Sequence, residues 1–400
     1  MLFDKIKKKS TAKHIVALDI GTVNVKALIG RIKGDNIEII GVGRAKQSLS
    51  DMEAGAVADI GSVVDNCDKA LGEAEKMAGV NARNTVIGIA GELVKGTTTT
   101  IRFRRAKPEE PITMEEMEHI IERIQAKAQT KAMQILRLEL GNKDVDARLV
   151  NSALVSMEID GYKVSNPISF QGKVVSVQLY TAFAPMIHIG ALERVAQELD
   201  MDLLAVSAEP FAVARSVIGT DASSNFTAVL VDVGGGTTDI AVVNDGGVEG
   251  TKMYGIGGRS FTRSISHDMN LDFDKAEQMK MSYSQAKLED DEAAKVGKPI
   301  ERTLEVWMSG LELALEEFSH LDHLPNKVLF CGGGSSLPDL IDALKHKSWY
   351  KNLPFAKTPH IQHLEPKQVS GVIDKTGTIH DHTYIPAMRL LRAGADNLKA

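Results

Sequence analysis

Residues 229–243 read VLVDVGGGTTDIAVV. Two runs of β-branched and aliphatic residues predict two strands, and the glycines between them predict a tight reversal of the chain. Polar residues stand only at the bend, with Asp232 before it and Thr237, Thr238 and Asp239 after it. The pattern extends outward on both sides. FTAVLVDV (226–233) and TTDIAVV (237–243) make the hairpin, NDGG (244–247) is the next turn, VEGTKMYGI (248–256) a third strand and RSFTRSISHDM (259–269) a helix.

The same order stands much earlier in the chain. HIVALDI (14–20) is a strand, GT breaks it, VNVKALIGRI (23–32) resumes β character, KGDN (33–36) turns, and IEIIGVGRA (37–45) is a third strand. A helix over 61–78 follows, with Val63, Val64, Cys67, Ala70, Leu71, Ala74 and Met77 at helical spacing, and NTVIGIAG (84–91) returns as a strand. Asp232 lies 213 positions after Asp19, and both open an Asp-x-Gly hairpin. The chain therefore reads as two copies of one α/β unit, a β-meander followed by a helix.

Glycines at a hairpin tip tolerate positive φ and bring backbone N–H groups close to a ligand, which makes an anion-binding concavity suited to phosphate oxygens. Threonine hydroxyls beyond the bend add short donors. An aspartate there would repel a polyphosphate unless Mg²⁺ lies between them, held through waters as that ion prefers. Two such tips face to face would clamp one triphosphate. A lone DIGT is a common strand-and-turn string with no ligand at all; its recurrence in a matched topological place gives it weight. A third cluster, KVLFCGGGSSLPDLIDALK (327–345), runs a strand through Gly332, Gly333 and Gly334 into Ser335, Ser336 and a helix near Pro338. Alone it is a strand-to-helix joint. In this company it is a place for a flat base to rest on bare backbone.

Composition sets limits. The 400 residues are 43% hydrophobic and 25% charged with a net charge of −6, so the chain is of globular class, long enough for two or more cores, and shows no basic stripe for a nucleic acid. Two cysteines in so long a chain, Cys67 and Cys331, both in apolar segments, read as free core thiols in a reducing compartment. No apolar run approaches the ~18 residues that span a bilayer. His380 and His382, and His320 and His323, lack the further ligands that complete a metal set and read as exposed loop residues, while KLEDDEAAK (287–295) reads as a solvated face and Trp307 and Met308 as core.

The three glycine segments resemble the phosphate-1, phosphate-2 and adenosine motifs of the actin, sugar-kinase and heat-shock chaperone superfamily. SAEPFAVARSVIG (207–219) is similar to its first interdomain connecting helix. The resemblance implies two related α/β domains around an ATP cleft. It places Asp19, Gly21, Thr22, Asn24, Lys26, Asp232, Gly234, Gly235, Gly236, Thr237, Thr238, Gly332, Gly333, Gly334 and Ser335 against the nucleotide. Asp19 and Asp232 would hold Mg²⁺ through water. GIGG (255–258) would bring Gly257 and Gly258 near the phosphates, Glu277 and Lys280 in AEQMK would reach the ribose, and Glu209 would orient the attacking water. Asn24 stands where many relatives carry lysine; strand alternation puts it on one face with Lys26, which supplies the charge.

Residues 84–185 choose the branch. TMEE opens a helix near Thr113 as a capping box, and the phrases ALDIGTVNVKALIG, GEAEKMAGV, IGIAGELV, ITMEEMEHI, DGYKVSNPISFQG and YGIGGRSFTRSI resemble, in order, the bacterial cell-division family FtsA over about 14–395. That resemblance implies an actin-like two-domain ATPase fold with an inserted αβ subdomain of the 1C type. The divisions expected are a basic segment 1–13, domain 1A at 14–83 and 166–212, domain 1C at 84–165, domain 2A at 213–257 and 327–400, and domain 2B at 258–326. It implies slow ATP turnover at most, protofilaments of the chain with itself, and tethering of FtsZ through its C-terminal peptide, with recruitment of other division proteins. Arg259 and Arg263 are candidate contacts for that peptide.

The family's C-terminal amphipathic helix has no counterpart in YIPAMRLLRAGADNLKA. MLFDKIKKKS is the expected substitute, a short basic amphipathic element placing residues 1–9 on the cytoplasmic face of the inner membrane at the division site, although a helix so short is marginal in water. Two other readings stay open. One is a PilM-like ATP-binding adaptor, which shares the extra domain but captures a partner's peptide in a pilus or secretion machine. The other is a small-molecule kinase of the superfamily, which needs an acceptor pocket and a catalytic base that the sequence does not display.

Overall fold

The computed structural model describes residues 14–91, 94–141, 144–218, 226–319, 321–346 and 349–399. The basic segment 1–13 and His320 lie outside them. The first unit contains β1 (His14–Ile20), β2 (Asn24–Lys33) and β3 (Asn36–Lys46), then the small hairpin β4 (Met52–Glu53) and β5 (Ala56–Val57), helix α1 (Ile60–Ala78) and β6 (Asn84–Ile89). Helix α1 starts where the Asp59 side chain accepts from the Ser62 N–H, and it stops at Gly79, left-handed at φ 66°, whose N–H returns to Glu75 O. Val63, Cys67, Ala70, Leu71 and Ala74 form its buried stripe.

Next come β7 (Lys95–Arg104), α2 (Met114–Leu140), β8 (Ala147–Ile159), β9 (Tyr162–Lys163) and β10 (Val174–Pro185). Thr113 caps α2 by accepting from the Glu116 N–H, but the expected box is only half made. The Glu116 carboxylate turns instead to the buried Arg105 guanidinium at 2.8 and 2.9 Å, because two charge-assisted hydrogen bonds outweigh one to a backbone N–H. Ile112, Met117, Ile120 and Ile124 pack on Met157, Val175, Val177 and Leu179 as a separate small core.

The chain continues through α3 (Met186–Glu198), β11 (Asp202–Ala208) and α4 (Glu209–Ile218) into the second meander, β12 (Ala228–Val233), β13 (Thr238–Asn244) and β14 (Gly247–Tyr254). Helices α5 (Gly258–Met269), α6 (Phe273–Ser284) and α7 (Asp290–Glu316) follow, then β15 (Lys327–Cys331), α8 (Pro338–His346), β16 (His360–His363), β17 (Val372–Asp374) and α9 (Ile385–Lys399).

Two large sheets result. One has the order β11-β6-β1-β2-β3-β17, and the other β16-β15-β12-β13-β14-β7-β10-β8-β9. The segment expected as an inserted domain at 84–165 divides differently: β6 is a parallel partner of β1 in the first sheet, so the α2 unit runs from β7 to β10. The tail divides too. β17 pairs with β3, and α9 buries Ile385, Met388, Leu390 and Leu391 in the core of the first sheet. Helices α4 and α9 are therefore the crossings between units, and they pack on each other.

Strand β12 is buried on both faces, as a strand between two layers must be. Its Val229, Val231 and Val233 join the core of the second unit with Phe261, Trp307 and Phe330, while Ala228 and Leu230 face the core shared with α9. Period-two alternation therefore turns Asp232 toward α4 and α9. Asp239 shares a face of β13 with Ala241 and Val243 and points the same way.

Candidate functional site

The two hairpins have one register. Asp19 stands opposite Lys26 across β1 and β2, and Asp232 stands opposite Asp239 across β12 and β13. In the first, the Lys26 ammonium donates to Asp19 Oδ2 at 2.9 Å, both groups being largely buried. Burial alone would lower the Lys26 pKa; the Asp19 carboxylate, with the charges of Asp232 and Glu209, more than offsets it and holds Lys26 above its ordinary value. In the second, a carboxylate replaces the ammonium. Burial, with the Asp19 charge added, pushes Asp232 up to about 6. Burial and Asp232 push Asp239 well above the carboxylate range. The Cys331 thiol donates to Asp232 and Thr237 Oγ1 donates to Asp239, yet Asp232 Oδ2 and Asp239 Oδ1 are buried with no partner among the described residues.

The bends meet. A Cβ on Gly235 would stand 2.3 Å from Val23 Cγ2, and one on Gly236 would stand 2.8 Å from Thr22 Oγ1. Close approach is thus what demands glycine here. The expected positive φ is not found at Gly21, Gly234, Gly235 or Gly236, because each tip lies flush against the other rather than curling through a left-handed turn. Gly21 N–H closes the first tip on Asn24 O at 3.1 Å, and Gly234 N–H closes the second on Thr237 O at 2.9 Å.

The other glycine segments come to the same place. Gly258 N–H donates to Gly234 O at 2.9 Å and Arg259 N–H to Gly235 O at 2.8 Å. A Cβ on Gly257 would lie 2.8 Å from Gly234 O, and one on Gly334 would lie 2.7 Å from it. Gly332 is left-handed at φ 81°, and a Cβ there would be 2.0 Å from Asp232 Oδ1. Gly333 alone faces open space. Backbone from four segments far apart in sequence thus builds one wall.

Several side chains are placed differently from the expectation. Thr238 Oγ1 donates to Ile256 O at 2.7 Å and accepts from Trp307 Nε1 at 2.9 Å, so its one proton is committed inside the second unit. Ser335 Oγ likewise donates to Gly332 O at 2.8 Å and serves the local turn. Asn24 accepts from Arg44 at 3.0 Å, on the outer lip. Glu277 and Lys280 pair at 2.8 Å, and Lys280 also donates to Gly258 O at 3.0 Å, so both stand at the edge of the glycine wall. Glu209 begins α4 nine-tenths buried. A Cβ on Gly88 would be 2.6 Å from its Oε1, and burial, then the charges of Asp19, Asp239 and Asp232, raise its pKa well above the carboxylate range.

Arg259 is not a free surface residue. It is buried and donates to Ser48 O at 3.1 Å and Leu49 O at 3.4 Å, which ties α5 to the first unit; Arg263 is exposed. Nor is His382 a loose loop residue. Its ring stacks on His363 at 4.1 Å and sits 3.1 Å from Ser336 Oγ, with burial and His363 lowering its pKa to about 4. Sequence reading missed Arg389 altogether. Its only signal is a charge four residues after Ile385 on the apolar stripe of α9, where an exposed position had no claim to it.

The model of the family described as cell division protein FtsA matches residues 229–376, from the second hairpin through the third glycine segment. Bacillus subtilis cell division protein FtsA is 24% identical over 378 residues, 89% of this chain and 81% of that protein. The protein of the same name from Pseudomonas aeruginosa is 27% identical over 280 residues, 68% of this chain and 62% of its own length. That from Enterococcus faecalis is 24% identical, covering 92% and 85%.

The chain resembles FtsA.

Solved structures agree on the fold of this FtsA-like chain. A chain of the PilM–PilN type IV pilus biogenesis complex superposes with a TM-score of 0.67 at 16% identity, covering 95% of this chain and 98% of that one. MreB 5 of Spiroplasma citri bound to AMPPNP gives 0.51 at 12%, covering 97% of each. This chain shares the fold of both.

Proposed function

We propose that this FtsA-like chain binds ATP with Mg²⁺ between its two hairpins and acts in bacterial cell division as an actin-like adaptor. One observation carries the reading: two hairpins of identical register meet tip to tip, and the second leaves buried carboxylate oxygens with no hydrogen-bond partner among the described residues. The residues fit the ligand. Backbone at Gly21, Gly234, Gly235, Gly236, Gly257 and Gly258 would line the phosphates with Thr22 and Thr237 beside it, and the joint at Gly332, Gly333 and Gly334, open at Gly333, would take the base. Lys26 brings a buried positive charge, and Glu277 with Lys280 closes the ribose side. Mg²⁺ neutralises phosphate charge when bound, and it would be held through water by Asp19 and Asp232.

Glu209, nine-tenths buried at the start of α4, is the residue that would orient an attacking water. Nucleotide turnover is read as a slow timing event rather than a metabolic conversion. Binding energy released across both tips holds the units together and favours one relative orientation, which is what a protofilament requires. The division role comes from the relatives named FtsA: the chain forms protofilaments, takes the FtsZ C-terminal peptide and joins other division proteins on the cytoplasmic face of the inner membrane. With Arg259 engaged inside the molecule, Arg263 remains the basic candidate on α5 for an acidic peptide. Residues 1–9 are the proposed membrane contact, and no described helix is long and apolar enough to cross a bilayer. The likeness to the PilM–PilN chain speaks for fold alone.

Negative-stain imaging on anionic liposomes with ATP tests the reading. Filaments that require ATP, recruit the FtsZ peptide and lose liposome pelleting when residues 1–9 are deleted are expected. Absence of both filaments and peptide binding would refute the adaptor role.

A further inference from the structure

Arg389 is fully buried, and its Nε, Nη1 and Nη2 have no hydrogen-bond partner among the described residues. Proteins tolerate a buried guanidinium when its donors are met by acceptors; left alone it costs more than any packing its stem provides. Nothing apolar explains its choice, since Met or Leu would fill the same stretch of α9 without that cost. Its location is specific. Helix α9 crosses α4 between the units, and its Leu390 lies against the same backbone of Gly88 as Glu209. Helix α9 shares one core with Leu230, Ala241 and Cys331, on the side of β12 and β13 to which Asp232 turns, and Cys331 stands beside Asp232 in register. The guanidinium is thus buried on the Asp232 side of the second hairpin and is not hydrogen-bonded to it.

The geometry points to Arg389 as a phosphate-binding residue, an internal cation that meets the anionic tail of the nucleotide and balances the Asp232–Asp239 hairpin. The first hairpin has its own cation in Lys26, directly across from Asp19. The second has a carboxylate in that place; the Lys26 charge reaches across to Asp232, and Arg389 adds a further positive charge from α9. A planar fork of five donors suits phosphate oxygens better than an ammonium would. A fixed internal cation also lowers the need for a divalent ion, so nucleotide should still bind measurably in EDTA. This inference rests on the nucleotide reading and adds a residue to it.

Calorimetry on the full chain and on Arg389→Met, with ATP, tripolyphosphate and adenosine as probes, each in Mg²⁺ and in EDTA, tests it. The variant should bind ATP and tripolyphosphate about 10- to 100-fold more weakly, the worth of a hydrogen bond to a charged group. The loss should be greater in EDTA. Adenosine affinity should not change, and the empty variant should melt at the same or a higher temperature, because an unpartnered buried charge has gone. If the wild type binds ATP and the variant binds it equally well, or loses adenosine in equal measure, Arg389 is a structural residue and the inference fails alone. If the wild type binds none of the three probes, the nucleotide reading fails and takes the inference with it.

Discussion

The hairpins at Asp19 and Asp232 share length, register and burial, yet they differ at one facing position. Lys26 sits where Asp239 sits 213 residues later. The first hairpin is consequently complete in itself: its acid is bonded and its base is held charged. The second holds two raised carboxylates, and their free oxygens and the buried Arg389 donors have no hydrogen-bond partner among the described residues. Duplication supplied a scaffold. On the proposed reading the Asp19 copy carries its own cation, and the Asp232 copy takes its positive charge from outside the hairpin. A site that binds a polyanion together with Mg²⁺ needs that asymmetry, since two neutralised hairpins would give the metal no purchase.

Breaking the self-sufficient copy should cost most. Asp19→Ala strands the buried Lys26 ammonium and is expected to destabilise the empty protein by about 3–5 kcal/mol in urea unfolding. A loss below about 1 kcal/mol would show that Lys26 finds other partners. Removing the receptor acid should hurt binding more than folding. Asp232→Ala is expected to abolish Mg–ATP binding, a loss of at least about 2 kcal/mol or ~30-fold in calorimetry, and unchanged affinity would refute its role. The facing position gives a change of opposite sign. Asp239→Asn removes one of two apposed carboxylates while still accepting from Thr237, so the empty protein should gain at least about 1 kcal/mol, the worth of one pKa unit. If it destabilises instead, the Asp232–Asp239 pair is not under electrostatic tension.

The smallest effect lies at the edge of the third glycine segment. His382, lowered to about 4 from 6.5, stays neutral in the folded protein while the unfolded chain takes up a proton. Its contribution to stability is therefore full above pH 6.5 and is lost as pH falls toward 4. His382→Gln should flatten the fall in melting temperature across that window. An unchanged slope would place the titration elsewhere.

Much of this was legible in the primary structure because it rests on local rules. The alternation of Val229, Val231 and Val233 with Leu230, and the glycine runs after strand ends, specify both meanders and the third joint. What stayed hidden is long-range. No spacing rule says that Arg259 will reach the carbonyls of Ser48 and Leu49, that β17 will pair with β3, or that α9 will bury an arginine completely. The reason for the tip glycines was also misread, since sequence shows that a residue lacks Cβ but not whether torsion or a neighbour such as Val23 requires it. Thr238 shows the same limit, its hydroxyl having been claimed by Trp307 and Ile256.

Amide hydrogen exchange with and without Mg–ATP tests most directly whether both copies grip one ligand. Slowed exchange at residues 21–23 together with residues 234–237, saturating at a single nucleotide concentration, is the predicted result. Protection confined to one hairpin, or protection of the two at different concentrations, would contradict it.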